Sequence, residues 1–371
     1  MDSPQDFEIF LTAPPGLEAA LGAELRARKF RNPKVTVGGV LTSGGWPEVW
    51  RANLEVRGAG HVLARIGAFR VFHLAQLDKR ARKFPWSRVL RADVPVRVEV
   101  TCSKSKIYHA GAAAQRIEAA LREELGVKIA DEAAVCIKAR IEDDLCTISI
   151  DTSGESLHKR GHKVAVGRAP MRETMAALFL YQCGYDGREP VVDPMCGSGT
   201  FVIEAAEIAA GLNPGRSRSF AFELLKSFES EAWQHLRQRQ RGKRPVLRFF
   251  GSDRDAGAIA ASVANARRAG VAEFTEFRQQ PVSAITPPAG PSGLVIVNPP
   301  YGTRIGDRKP LLALHAALGQ TLLKGFSGWR VGLITSEPAL AKATALPFAP
   351  PGRTVLHGGL RVQLFQTGPL A

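Results

Sequence analysis

The 371-residue chain has few cysteines: Cys102, Cys136, Cys146, Cys183 and Cys196 are scattered, odd in number and without a Cys-x-x-Cys pair. That pattern argues against a disulfide framework and a structural zinc site, and fits a reducing compartment. No stretch approaches the ~20 apolar residues of a membrane-spanning helix. The opening residues, MDSPQDFEIF, lack the basic start and apolar run of a secretory signal. A soluble, cytoplasmic protein is therefore expected. Acidic residues are outnumbered, 35 against 50 Lys plus Arg, for a net charge of +15. Such a surplus favours a polyanionic partner, nucleic acid above all, although a basic proteome would give the same bias. The length suffices for two or three domains with a sizeable core.

The first half reads as α+β. Phe7–Ala13 looks like a strand, and Pro15 is expected to open a helix through Arg28, with Leu17, Leu21 and Leu25 at helical spacing. Lys34–Leu41 and Val62–Phe69 are further strands, completing a small module over residues 1–75. A second module, 76–160, begins with alternation over Val94–Thr101, where Pro95 requires a strand start or a sheet edge. The helix His109–Leu125 follows, facing Ala113, Ile117, Ala120 and Leu121 inward, and then strands Val135–Ala139 and Leu145–Asp151. Ser103-Lys104-Ser105-Lys106 is a basic loop between the first strand and that helix. In the last part, 161–371, strands at Pro190–Asp193, Val246–Ser252, Leu294–Val297 and Arg330–Thr335 alternate with helices at Thr200–Ala210, Ala256–Ala269 and Leu311–Gly325. This alternation predicts an α/β doubly wound sheet, with chemistry in the loops at the strand C-termini.

Three such loops carry polar signals. In the first, a strand ends at Asp193 and Pro194-Met195-Cys196-Gly197-Ser198-Gly199-Thr200 leads into a helix. Gly197 and Gly199 permit positive φ and close ligand approach, and the helix start offers free N–H groups. Val202 stands where a dinucleotide fingerprint has its third glycine, and no Gly-Lys-Ser/Thr is present. Asp193 would repel a pyrophosphate but accept an ammonium. S-adenosylmethionine, with its ammonium and carboxylate, suits both features. In the second loop, Gly251-Ser252-Asp253-Arg254-Asp255, the Asp253 carboxylate can hold ribose hydroxyls or cap the next helix. The intervening Gly211–Arg244 stretch is basic and contains Phe220, Phe222, Phe228 and Trp233, which suits either a solvated helix or an RNA-facing one.

The third loop, Asn298-Pro299-Pro300-Tyr301, follows the apolar Val295-Ile296-Val297. Consecutive prolines fix φ and remove two N–H donors, leaving carbonyls as acceptors. The Asn298 oxygen and the Pro299 carbonyl can accept both hydrogens of an exocyclic base amine, freeing its lone pair to attack a methyl group. Tyr301 can stack on a base turned out of its helix. No Asp or His stands in the motif for proton abstraction from carbon.

In this order the three motifs resemble class I S-adenosylmethionine-dependent methyltransferases acting on exocyclic amines, and more closely the bacterial THUMP-domain RNA guanine-N2 methyltransferases. His158-Lys159-Arg160-Gly161-His162 and Ala169-Pro170-Met171-Arg172-Glu173-Thr174 resemble that family's junction and first catalytic helix, and Gly211–Gly215 with Arg218–Glu223 its insertion. The resemblance implies a ferredoxin-like module, a THUMP RNA-binding domain and a Rossmann-like methyltransferase sheet. It assigns cofactor binding to Asp193, Met195, Cys196, Gly197, Ser198, Gly199, Thr200, Asp253, Arg254, Glu173 and Asn298, and base binding to Asn298, Pro299, Pro300 and Tyr301. An acidic residue usual after the third strand is replaced by Arg278-Gln279-Gln280-Pro281, and Gln280 can substitute as the adenine acceptor. RNA contacts are expected from Lys104, Lys106, Lys159, Arg160, His162, Lys163, Arg172 and Arg304.

The resulting expectation is a monomeric enzyme, needing no metal, that transfers methyl from S-adenosylmethionine to guanine N2 in RNA, ribosomal RNA first and transfer RNA second. Asn-Pro-Pro-Tyr also suits amines of DNA bases and the amide of a protein glutamine. An inactive RNA-binding assembly factor is the non-enzymatic alternative, disfavoured by the intact set of loops.

Overall fold

The computed structural model describes residues 6–163, 171–239, 242–301 and 308–371. The chain divides into two compact units. One contains the start of the chain through Ala13, then Leu25–Leu157 and Arg218–Arg239; the other contains Pro14–Glu24, His158–Ser217 and Gln240–Ala371.

The first part of the chain runs through strand β1 (Phe7–Thr12), helix α1 (Glu18–Ala27), β2 (Lys34–Thr36), β3 (Gly39–Gly44), α2 (Trp46–Glu55), β4 (Val62–Arg70), α3 (Leu74–Arg82), β5 (Val96–Ser103), α4 (Ala110–Leu125), β6 (Val135–Glu142) and β7 (Leu145–Asp151). Its strands form one seven-stranded sheet in the order β2-β3-β1-β4-β7-β6-β5. Strands expected in two separate modules thus share one sheet, joined where β4 pairs with β7. Pro95 immediately precedes β5, which is an edge strand, so its missing N–H costs no ladder bond. The helix α4 buries Ala113, Ile117, Ala120 and Leu121, the face its spacing predicts.

Some local expectations fail for identifiable reasons. The stretch expected as one strand over Lys34–Leu41 is a hairpin, because Gly38 takes φ +79° and reverses the chain. Pro15 lies in a turn completed by Gly16 at φ +98°, and α1 starts only at Glu18, whose carboxylate accepts the Gly16 N–H at 2.7 Å. In Gly211–Arg244, the short helix α7 (Ser230–Gln238) carries Trp233 inward. Phe220 and Phe222 stack with centroids 5.1 Å apart, and Trp50 lies 6.2 Å from Phe222. These aromatics fill the core of the first unit and are unavailable to RNA.

The second unit contains α5 (Glu173–Gln182), β8 (Val191–Asp193), α6 (Thr200–Ala209), β9 (Phe249–Asp253), α8 (Ala256–Ala269), β10 (Thr275–Gln279), β11 (Leu294–Val297), α9 (Arg308–Gly325), β12 (Arg330–Thr335), α10 (Pro338–Ala343), β13 (Val355–His357) and β14 (Leu360–Gln366). The sheet order is β10-β9-β8-β11-β12-β14-β13, parallel from β10 through β12 and antiparallel for the last two strands. All four residues of β11 are buried because helices cover both faces of a parallel sheet. Val295 and Val297 pack with Leu318, Leu322 and Phe326 of the α9 region and with Val331 and Leu333 of β12. Full burial of each such side chain contributes roughly 1.5–3 kcal/mol.

Candidate active site

Strand order reverses between β8 and β11, so the carboxyl ends of β9, β8 and β11 emerge side by side at the switch point where doubly wound sheets bind ligands. Asp193 ends β8, Asp253 ends β9, and Asn298 follows β11 at once. The register pairs Asp193 with Gly251 and Val192 with Val295. The three sequence motifs therefore converge on one edge.

Asp193 is 2% exposed, and its carboxyl accepts the Met195 N–H at 3.1 Å. Burial, reinforced by the nearby Asp253 carboxylate, pushes its pKa up to about 8. A cationic ligand group would restore its ionisation. Gly197 takes φ +52° with open space where a Cβ would stand, so the backbone can be approached there. Gly199 caps α6 at φ +82°, and a Cβ on it would crowd Ser262 Oγ at 3.0 Å. The Gly197 N–H donates to Asp253 Oδ2 at 3.0 Å, so the acid of the second loop fastens the first. Asp253 Oδ1 accepts the Asp255 N–H at 3.0 Å, while the cap of α8 is Asp255, accepting from Gly257 at 2.7 Å. The capping alternative for Asp253 is thus taken by its neighbour, and each of its oxygens retains a lone pair for a hydroxyl. Gln280 adjoins this corner, its N–H donating to the Asp253 carbonyl at 3.0 Å; Arg254 is exposed.

The Asn298 Oδ1 is buried and has no hydrogen-bond partner among the described residues. Such an orphaned acceptor costs about 1–3 kcal/mol unless a ligand supplies a donor. Pro299 is buried, Pro300 is half-buried, and Tyr301 is buried, its hydroxyl pushed up to about 12 by desolvation. Arg304 lies outside the described residues.

Sequence reasoning missed the support behind these loops. Ser262 donates to the Gly197 carbonyl at 2.8 Å and Asn265 to the Ser198 carbonyl at 3.1 Å. Both are fully buried on α8, three residues apart on the face shared with Ala266 and Ala269. Polar residues set in an otherwise small, apolar helical stripe were the available signal.

The basic junction departs most from expectation. Arg160, His162 and Lys163, expected to face RNA, are internal. Arg160 is 2% exposed and donates to Glu204 of α6 at 3.1 Å. His162 lies 3.9 Å from Glu207, with burial lowering its pKa. Lys163 donates to Thr200 Oγ1 and the Met171 carbonyl, both at 2.9 Å, and lies 3.5 Å from Glu173. Burial lowers the Lys163 pKa and raises that of Glu173. Buried carboxylates, Glu204 on α6 for Arg160 and Glu173 on α5 for Lys163, draw these two cations inward, because an unpaired buried charge is too costly. Lys104, Lys106, Lys159 and Arg172 are exposed. Among the described residues no group of three or more His, Cys, Asp or Glu could hold a metal, and no helix is long and apolar enough to cross a membrane.

Residues 160–348 match the family described as RMKL-like, methyltransferase domain. The chain belongs to the RMKL-like methyltransferase family. Residues 8–63 match an RlmL ferredoxin-like domain, as the family resemblance implied. The ribosomal RNA large subunit methyltransferase K/L of Vibrio campbellii is 41% identical over 212 residues, 55% of this chain and 30% of that protein. The match thus spans less than a third of that relative's length. Among solved structures, SMU.472, a putative methyltransferase complexed with SAH, has a TM-score of 0.88 at 26% identity, covering 100% of both chains. A predicted N6-adenine-specific DNA methylase from Listeria monocytogenes has a TM-score of 0.86 at 28% identity, covering 98% of this chain and 97% of its own. The class I methyltransferase architecture read from the motifs is that of the RMKL-like sheet.

Proposed function

We propose that this RMKL-like protein transfers a methyl group from S-adenosylmethionine to the exocyclic N2 amine of a guanine in RNA, ribosomal RNA first and transfer RNA second. The observation that carries this reading is the buried Asn298 oxygen at the tip of β11, without a hydrogen-bond partner among the described residues and beside the two acidic strand ends. It is an acceptor awaiting a donor, and an exocyclic amine offers two. The Vibrio campbellii relative, named for ribosomal RNA, and the net charge of +15 support RNA as the substrate. We further assign residues 76–160 to a THUMP RNA-binding domain between the ferredoxin-like module, 1–75, and the methyltransferase domain, 161–371. The protein works in the cytoplasm as a monomer.

The site fits the cofactor. Asp193, buried and in want of a cation, suits the ammonium, and the Gly197–Thr200 turn suits the carboxylate at the start of α6. Asp253 would hold the ribose and Gln280 the adenine edge; Met195, Cys196, Ser198, Arg254 and Glu173 would complete the walls. When bound, the cofactor supplies an electrophilic methyl on a sulfonium. The protein's part is positional: Asn298 Oδ1 and the Pro299 carbonyl accept the amine hydrogens and turn the nitrogen lone pair toward the methyl. Tyr301 and Pro300 would hold the base face. Lys104, Lys106, Lys159, Arg172 and Arg304 remain as RNA contacts.

The Listeria neighbour, named for adenine N6 of DNA, favours a second reading in which the same acceptors serve that amine. Incubating the chain with isotopically labelled S-adenosylmethionine and ribosomal RNA, transfer RNA or duplex DNA separates the two. Label in N2-methylguanosine from RNA is expected. Label confined to N6-methyladenine from DNA would replace our reading with the second.

A further inference from the structure

The sheet edge where β4 and β5 end has an aromatic and basic rim outside the site described above. Tyr108 is 85% exposed and Phe72 is 42% exposed. Each directly precedes a helix-capping histidine: His73 accepts the Gln76 N–H at 3.2 Å, and His109 accepts the Ala112 N–H at 3.1 Å. An apolar residue at this position usually folds back onto the fourth helical residue. In α4 that residue is Ala113, fully buried beneath the helix, which leaves Tyr108 facing solvent.

The rim is held in place. Asp143 and Asp144 both take positive φ, 49° and 59°, in the two-residue turn joining β6 to β7. The Asp144 carboxylate accepts the Lys106 N–H at 2.8 Å, its own N–H donates to Ser105 Oγ at 3.0 Å, and its carbonyl accepts the Val71 N–H at 2.9 Å. One turn thus fastens the exits of both β4 and β5. As a result the Lys106 ammonium sits 4.9 Å above the Phe72 ring. Lys104 takes φ +46°, a left-handed conformation that a lysine rarely adopts. Two of the three acids in this turn are engaged, Glu142 by Arg140 at 2.8 Å and Asp144 by the loop backbone, while Asp143 is exposed.

We propose that Tyr108 and Phe72 form a stacking platform for unpaired bases of an RNA strand, with Lys104 and Lys106 on its phosphates. This rests on the reading of the substrate as RNA and narrows it: the segment gripped here is single-stranded. An exposed ring face, as on Tyr108, can pair with the face of an unstacked base, which a duplex keeps inside its own stack; Phe72 carries Lys106 over one face and is 42% exposed. Two rings set among lysines suit such a strand, whereas a protein partner would be met by an uncharged apolar centre.

The test uses the full chain and fluorescence anisotropy with a labelled, unpaired RNA oligomer and a blunt duplex of the same sequence, titrated with salt. The wild type should prefer the single strand. Tyr108→Ala should weaken single-strand binding about 5- to 10-fold without changing the salt slope, and Tyr108→Phe should restore it. Lys104→Ala should instead flatten the slope by about one. S-adenosylhomocysteine affinity and the melting temperature of Tyr108→Ala should match the wild type. Single-strand binding by the wild type, unchanged in Tyr108→Ala, would overturn this platform alone. Preference for the duplex would also overturn it. Failure of the wild type to bind either RNA would instead overturn the RNA reading itself.

Discussion

In the second unit Arg160 and Glu204 meet at 3.1 Å with 2% and 0% of their side chains exposed; in the first, Arg122 and Glu118 meet at 3.3 Å with 53% and 22% exposed. The chemistry is the same and the solvent is not. The buried pair, with the Lys163 bond to Thr200, ties the segment before α5 to α6, the helix that begins at the Gly199 cap. The exposed pair decorates α4. The positive charge of the chain is therefore not one resource: part of it is structural and neutralised within the methyltransferase domain, and only the remainder can meet a polyanion.

The largest test of that contrast is Arg160→Ala, which removes the guanidinium that Glu204 holds in the interior. It should lower unfolding free energy by about 3–5 kcal/mol in chemical denaturation. Converting both partners to apolar residues, Arg160→Met with Glu204→Leu, should recover most of this. A single-variant loss below ~1 kcal/mol would erase the distinction between the two pairs.

Asn298→Ala should come next, lowering the rate of methyl transfer roughly 10²–10³-fold, the scale for losing one preorganised polar contact in a transition state. Calorimetry should find S-adenosylhomocysteine binding nearly unaltered. Equal losses in both would make Asn298 a cofactor residue.

Asp193 offers a smaller, pH-dependent effect. Its carboxyl titrates near 8 when folded against an ordinary value of 3.8. Between those limits the folded protein keeps a proton that the unfolded chain has released, so its contribution to stability falls as pH rises. The stability advantage of Asp193→Asn should grow from about pH 4 to about pH 8 and then level off, as read from melting at several pH values. Wild-type affinity for a ligand bearing an ammonium should rise over the same range and stay flat in the variant. Smallest of all, Arg122→Ala should cost under ~0.5 kcal/mol, as for exposed pairs one helical turn apart.

The site was more legible in the sequence than its surroundings. β11, β12 and α8 have the limits their apolar patterns implied, and all three ligand loops fall at strand tips, because glycine, proline and acidic residues mark such turns locally. The helices α2 and α3 left weaker marks: α3 buries only Leu77 and Ala81 and carries Lys79, Arg80 and Arg82 outward. Arg160 and Glu204 lie 44 residues apart, a pairing that no periodicity announces. For the same reason Phe222 gave no hint of Trp50, and a run of cations looked like a surface. The exposed Tyr108 was invisible for the opposite reason, since nothing local tells a solvent-facing ring from a core one.

The path of the chain has a practical consequence. It leaves the methyltransferase unit after Ser217, contributes Arg218–Arg239 to the core of the other unit, and then returns. No single truncation point yields either unit intact, and deleting that excursion would remove Phe220, Phe222 and Trp233 from a core they help to fill. The two halves are therefore expected to be inherited, expressed and degraded together, so gene fragments split at residue 160 should give poorly soluble products where the uninterrupted reading frame does not.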